Sequence, residues 1–99
     1  MTIQLKKFGN TLISRQNGRE AWLAFNYQLQ NVKPDESIRV DFDGVDTFSP
    51  SWADEFLTPL FRFRSDGKRL KLKKSDNLSV GATVDTLEEV NKIKFKWEI

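Results

Sequence analysis

The stretch Val40–Leu60, VDFDGVDTFSPSWADEFLTPL, holds in one run a strand, a connection and a marked helix start. Ile38, Val40 and Phe42 alternate with Arg39, Asp41 and Asp43, which is the period-2 pattern of a half-buried strand over residues 37–43. Gly44 to Phe48 then connects this strand to a helix. Ser49 is a candidate N-cap, Pro50 suits the first helical position, and Asp54 and Glu55 favour the positive end of the helix dipole. Ala53, Phe56, Leu57 and Leu60 form the apolar stripe of that helix, and Pro59 inside it predicts a kink or a split.

Upstream, residues 3–8 read as a first strand with Ile3 and Leu5 apolar, and Gly9-Asn10 is a turn from which Thr11-Leu12-Ile13 returns as a second. Ser14 opens a helical stretch to about Asn31, with Ala21, Ala24, Phe25, Leu29 and Val32 on one face and Trp22, Leu23 and Tyr27 widening it. Lys33-Pro34-Asp35 ends it. Downstream, residues 68–74 (KRLKLKK) form a short strand with Leu70 and Leu72 inward. Ser75-Asp76-Asn77 offers caps for a third helix whose face is Val80, Thr83, Val84 and Leu87. Residues 92–99 (KIKFKWEI) alternate again, with Ile93, Phe95, Trp97 and Ile99 on one face of a last strand.

The order β-β-α-β-α-β-α-β predicts an α/β fold: a small mixed sheet with about three helices covering at least one face. No repeat, linker or low-complexity segment interrupts the 99 residues, so they are read as a single domain. Eight Phe and three Trp supply enough bulk for a core without disulfide or metal staples.

Composition narrows the chemistry. The chain has neither Cys nor His, which removes disulfides, thiolate metal sites, a Cys nucleophile, the commonest general base and any Ser-His-Asp constellation. Carboxylate, Lys or Tyr chemistry and a hard-cation site stay open, but the expectation is a protein that is not an enzyme and needs no cofactor. The N-terminal residues lack the apolar stretch of a signal peptide, and no apolar run approaches the ~20 residues that span a bilayer. A cytoplasmic location, away from membranes, is expected.

Net charge is only +2, yet it is unevenly spread. Seven acids and one base lie between Asp35 and Glu55, and seven bases and one acid between Phe61 and Ser75. Such polarity orients a charged partner, although period-2 charge is also what the wet face of an edge strand looks like. Lysines at 68–74 and 92–96, with Phe95 and Trp97 among them, raise a nucleic-acid alternative using the basic C-terminal strands. Against it, alternation puts the aromatics on the opposite face from the lysines, away from any base bound there.

Several residues carry two readings each. Ser49 and Ser51 sit where free backbone N–H groups favour an anion, so both are phosphoacceptor candidates, and both equally serve as plain caps. Asp41, Asp43, Asp46, Asp54 and Glu55 gather around a cation such as magnesium, or else Arg15 pairs with Asp54, Glu55 or Asp41 and joins the first two helices. The ion pair is favoured, with Asp41 among its partners and no metal. Trp52 either marks an interface or roofs the core. With Asp46, Asp54 and Glu55, it makes up the expected partner-binding surface.

The same segments resemble a known module. Asp41-Phe42-Asp43-Gly44-Val45, Ser51-Trp52-Ala53-Asp54-Glu55 and Ser14-Arg15 stand in order where a bacterial STAS-like family of unassigned function has its strand end, second-helix start and first-helix start. That family is related in topology to the STAS domains of anti-sigma-factor antagonists and sulfate-transporter tails. The resemblance implies a STAS-like fold and a signalling module in transcription regulation. Its implied partner is a histidine-kinase-like ATPase that phosphorylates a serine at the second-helix start. Ser49 stands in place of the motif's Asp, Pro50 in place of its first serine and Trp52 in place of its Gly. The usual phosphoacceptor therefore falls on Pro50, and Ser51 is the neighbouring hydroxyl.

Overall fold

In the computed structural model, which describes residues 1–63 and 69–98, the strands are short and the helices long. In order they are β1 (Thr2–Gln4), β2 (Thr11–Leu12), α1 (Arg15–Phe25), β3 (Ile38–Asp41), β4 (Thr47–Phe48), α2 (Pro50–Phe63), β5 (Leu70–Leu72), α3 (Leu78–Asn91) and β6 (Lys96–Trp97). The α/β class and the three helices are as expected. Among the described strands, every pairing is parallel, a more uniform arrangement than the mixed sheet expected.

The main sheet runs β1-β3-β5-β6. Its order never reverses, and right-handed crossovers then place all the helices on one face. Burial agrees: Ile3, Ile38, Val40, Leu70 and Leu72 are all sealed beneath the helices. Thr2, Arg39, Lys71 and Lys96 form one register row on the other face. Parallel sheets are usually covered on both sides and read as continuous apolar runs. Here the strands alternate instead, which keeps the second face wet.

The expected hairpin at Gly9-Asn10 does not form. Leu5 and Phe8, three residues apart, both turn toward the core, and residues 5–8 coil into a 3-10 turn closed by the Gly9 N–H on the Lys6 carbonyl at 3.0 Å. Gly9, at φ 127°, then redirects the chain, and β2 pairs with β4 in a separate two-stranded parallel ribbon. β4 itself lies in what was read as a plain connection.

The helical stretch expected from Ser14 begins there, and Ser14 caps it, its Oγ accepting the Asn17 N–H at 3.0 Å. The helix was expected to reach Asn31, but it tightens to 3-10 geometry over Asn26–Asn31. The Asn26 amide donates back to the Trp22 carbonyl at 2.9 Å, a side-chain bond that competes with the regular ladder. Ala21, Phe25 and Leu29 are buried, but Leu23 and Tyr27 are 64% and 62% exposed and Ala24 is exposed, so the apolar face is narrower than expected.

The α2 start is as read: the Ser49 carbonyl accepts the Ala53 N–H at 3.0 Å and Pro50 is the first helical residue. Pro59 does not split the helix, which runs unbroken to Phe63. Phe56 and Leu57 before it and Leu60 after it are fully buried, and that packing outweighs the missing N–H.

Asn77 begins α3, its Oδ1 accepting the Ser79 and Val80 N–H groups. Its amide also donates to the carbonyls of Val45 and Asp46 at 2.9 and 3.0 Å, tying the β3–β4 connection to that helix. The last strand is shorter than expected because Lys92 is the left-handed C-cap of α3 (φ 56°), and pairing is confined to Lys96–Trp97. The expected contributions of Lys68 and Ile99 lie outside the described residues. Among the described residues, no helix is long and apolar enough to cross a membrane.

Candidate functional site

The start of α2 is packed against α1 more closely than side chains allow. A Cβ on Gly18 would fall 2.5 Å from the Trp52 carbonyl oxygen and 2.9 Å from its Cα, so the two backbones touch at this glycine. Trp52 follows from that approach. It is 1% exposed, stacked on Phe56 at a centroid distance of 5.1 Å and flanked by Phe48 at 5.8 Å and Phe8 at 6.0 Å. The core reading of Trp52 is therefore the correct one, and its place on a partner-binding surface is withdrawn.

A polar junction lies on the outside of the same contact. Arg15 Nη1, from the first residue of α1, stands 3.2 Å from both Asp54 Oδ2 and Glu55 Oε1. Arg19, one turn on, reaches Glu55 at 3.6 Å. The expected pairing of Arg15 with Asp41 is absent, since each already has nearer partners. Asp41 Oδ1 accepts the Asp43 N–H at 2.9 Å and lies 3.9 Å from Lys73 Nζ, while Lys73 binds Asp43 at 2.7 Å. Asp41, Asp43, Asp54 and Glu55 are thus shared among three cations, Arg15, Arg19 and Lys73, rather than collected. Among the described residues, no group of three or more His, Cys, Asp or Glu is placed to hold a metal ion. Asp46 stands apart and exposed, its N–H bonded to the Asn10 carbonyl at 2.7 Å.

Asp54 joins three helices. Besides Arg15 of α1, it accepts Thr58 Oγ1 of α2 at 2.9 Å and Asn91 Nδ2 of α3 at 3.4 Å. The Thr58 contact has the i, i+4 spacing that sequence alone makes visible; the Asn91 contact spans 37 residues and left no local signal. Burial pushes the Asp54 carboxyl up, but the bonds from Thr58, Arg15 and Asn91 together outweigh it and hold it below its ordinary 3.8. Asp43 is held down likewise by its hydrogen bond from Lys73. A carboxylate lowered in the folded state contributes stability that is present above its unfolded pKa and is lost as pH falls through the folded one. Urea midpoints should therefore drop as pH falls from 3.8 downward. Asp54→Asn should start from a lower midpoint at neutral pH and show a shallower acid decline. Parallel pH profiles for the two proteins would refute this role for Asp54.

The two serines divide the readings between them. Ser49 is consumed as a cap: its Oγ donates to the Ile13 carbonyl at 2.7 Å and accepts the Trp52 N–H at 3.3 Å. Ser51, the second helical residue, is exposed. It borders a shallow depression of about 120 Å³ together with Arg15, Thr86 and Val90, the last 69% exposed. The basic strip of the nucleic-acid alternative is not interleaved with stacking rings. Lys71 and Lys96 are register neighbours on the open face, whereas Phe95 is buried against Phe61 and Trp97 lies against Phe42 on the helical side.

Compared with known families, residues 25–80 match the model described as a STAS-like domain of unknown function (DUF4325). That is more than half of the chain, from the end of α1 into α3. The chain belongs to this family. No curated protein and no solved structure matches it. In this STAS-like domain the matched region contains the strand end at Asp41–Val45 and the α2 start at Ser51–Glu55, two of the three motifs on which the resemblance rests. The third, Ser14-Arg15, precedes the match but contacts it directly through the Arg15 bonds to Asp54 and Glu55.

Proposed function

We propose that this STAS-like domain is a non-catalytic regulatory module of the cytoplasm that docks a partner protein through the start of α2. The partner is a histidine-kinase-like ATPase, and the output is control of signalling or transcription. The observation that carries the reading is the exposed Ser51 at the N-terminus of α2, beside Arg15 and the exposed Val90. The contact surface is Pro50, Ser51, the exposed edges of Asp54 and Glu55, and Val90. Trp52 supports the surface from within, and Asp46, which stands apart, is left out of it.

Phosphorylation of Ser51 supplies the switch. A phosphate there sits at the positive end of the helix dipole and beside the Arg15 guanidinium, which borders the same depression. It also competes with Asp54 and Glu55 for that guanidinium, so modification loosens the α1–α2 junction while recharging the surface. Ser49 is a weaker acceptor because its hydroxyl is engaged on both sides.

The test is binding of a histidine-kinase-like ATPase from the host, with ATP, to wild type, Ser51→Asp, Ser51→Ala and a Ser51→Arg, Val90→Asp double variant. Wild type should bind, and the double variant should lose roughly tenfold or more in affinity while keeping its melting temperature. Ser51→Asp should bind differently from Ser51→Ala. No complex with wild type would reject the ATPase as partner. Full binding by the double variant would move the interface elsewhere, and identical affinities for the two single variants would remove the switch.

A further inference from the structure

A second surface, distant in sequence from Ser51, has the form of a peptide groove. β6 is an edge strand with no strand on its outer side among the described residues. The Glu98 N–H bonds to the Leu72 carbonyl at 2.7 Å, so by strand periodicity the intervening Trp97 turns its own N–H and C=O outward. Between this edge and the start of α3 lies a pocket of about 360 Å³ bounded by Trp97, Gly81, Lys74, Ser75 and Glu98, whose carboxylate is held by Arg39 at 2.7 and 2.8 Å. Its helix wall is low, because a Cβ at Gly81 would meet nothing within 4 Å. Leu78, 89% exposed, and Ala82 share that side of α3 at helical spacing. Lys74 and Lys96 are exposed, and neither has an ion-pair partner among the described residues, unlike Lys73 and Lys94 nearby.

We infer that this groove binds an extended acidic segment of a partner protein, added to β6 as a further parallel or antiparallel strand with an apolar side chain seated between Trp97 and Gly81. Main-chain bonds to the free edge give the affinity, and the pocket and the lysines select the sequence. The unpaired Lys74 and Lys96 decide the charge of the occupant. Nucleic acid fits less well, since Lys96 and the Trp97 ring project from opposite faces of the strand.

The experiment uses the full chain and a synthetic peptide alternating Glu with Val and Phe, followed by amide and indole shifts and by fluorescence anisotropy. The peptide should move the signals of Trp97, Lys96, Lys74 and Gly81 and leave Ser51 unmoved. Gly81→Leu should weaken binding roughly tenfold by filling the pocket, with no fall in melting temperature because leucine is the better helix former. A Lys74→Glu, Lys96→Glu variant should bind a Lys-containing counterpart peptide instead. The Ser51→Arg, Val90→Asp variant should bind the Glu peptide normally, which separates this surface from the one at α2. No shift at Trp97 and Gly81, undiminished binding by Gly81→Leu, or preference for a single-stranded oligonucleotide over the peptide would each overturn the inference.

Discussion

Trp52→Ala is expected to cost about 3–5 kcal/mol of folding stability, the usual range for deleting a buried indole. The ring is 1% exposed and meets Phe8, Phe48 and Phe56, contributed by the N-terminal turn, β4 and α2 itself. Its removal leaves a void between α2, β4 and the distant N-terminal turn that cannot close without moving β4 or that turn. Against a total stability of about 5–15 kcal/mol typical of such domains, the loss is a large fraction. Urea denaturation monitored by circular dichroism should show the midpoint falling with the slope unchanged. Trp52→Phe keeps a ring stacked on Phe56 and should lose less. A loss below about 1 kcal/mol for the alanine variant would mean that Trp52 is not the packed centre described here.

Gly18→Ala is the second large effect, and its sign is opposite to what helix propensity alone predicts. In an open helix the change gains about 1 kcal/mol. At Gly18, however, the new methyl carbon would sit 2.5 Å from the Trp52 carbonyl oxygen and 3.1 Å from its carbonyl carbon, and backbone atoms cannot swing aside as a flexible side chain can. The helices must separate, which strains the Trp52 cluster and lengthens the Arg15 bonds to Asp54 and Glu55. Overpacking of this kind costs about 1–3 kcal/mol and occasionally more. A net loss near 2 kcal/mol, or roughly 10 °C in melting temperature, is expected. Gly81→Ala is the internal control, since its methyl meets nothing and should raise the melting temperature. Stabilisation by both substitutions would contradict the close approach of α1 and α2.

Local structure is legible in the sequence where its physics is local. The caps at Ser14, Ser49 and Asn77 each act within three residues: Ser49 caps as expected, Asn77 is the one of its three candidates that caps, and Ser14 caps the helix it was expected to open. The inward positions of β3, β5 and α3 follow from spacing within a single element, and Ile38, Val40, Leu70, Leu72, Val80, Thr83, Val84 and Leu87 are all buried. Errors gathered where one pattern supports two periods. Leu5 and Phe8 fit an alternating strand loosely and a 3-10 turn better, and only the core behind them selects the turn. Residues 92–97 alternate as a strand should, yet the C-cap at Lys92 takes the first of them for α3.

At the candidate site the division is sharper. The sequence alone determined that Ser49 and Ser51 would stand at the start of α2, with capping and phosphoacceptor readings open for both, and made a carboxylate the favoured partner of Arg15. It also determined that catalysis through His or Cys is impossible. Which carboxylates Arg15 meets, and that Trp52 faces inward, were decided only by the tertiary structure. The Arg15 contacts close loops of 39 and 40 residues, and the Asp54–Asn91 contact one of 37. No spacing rule reaches that far, because those distances depend on the parallel strand order and on the glycine that lets α1 and α2 touch. Helix ends and faces are set by neighbours within a turn or two, whereas a pairing between helices exists only once the whole chain has been laid on its sheet.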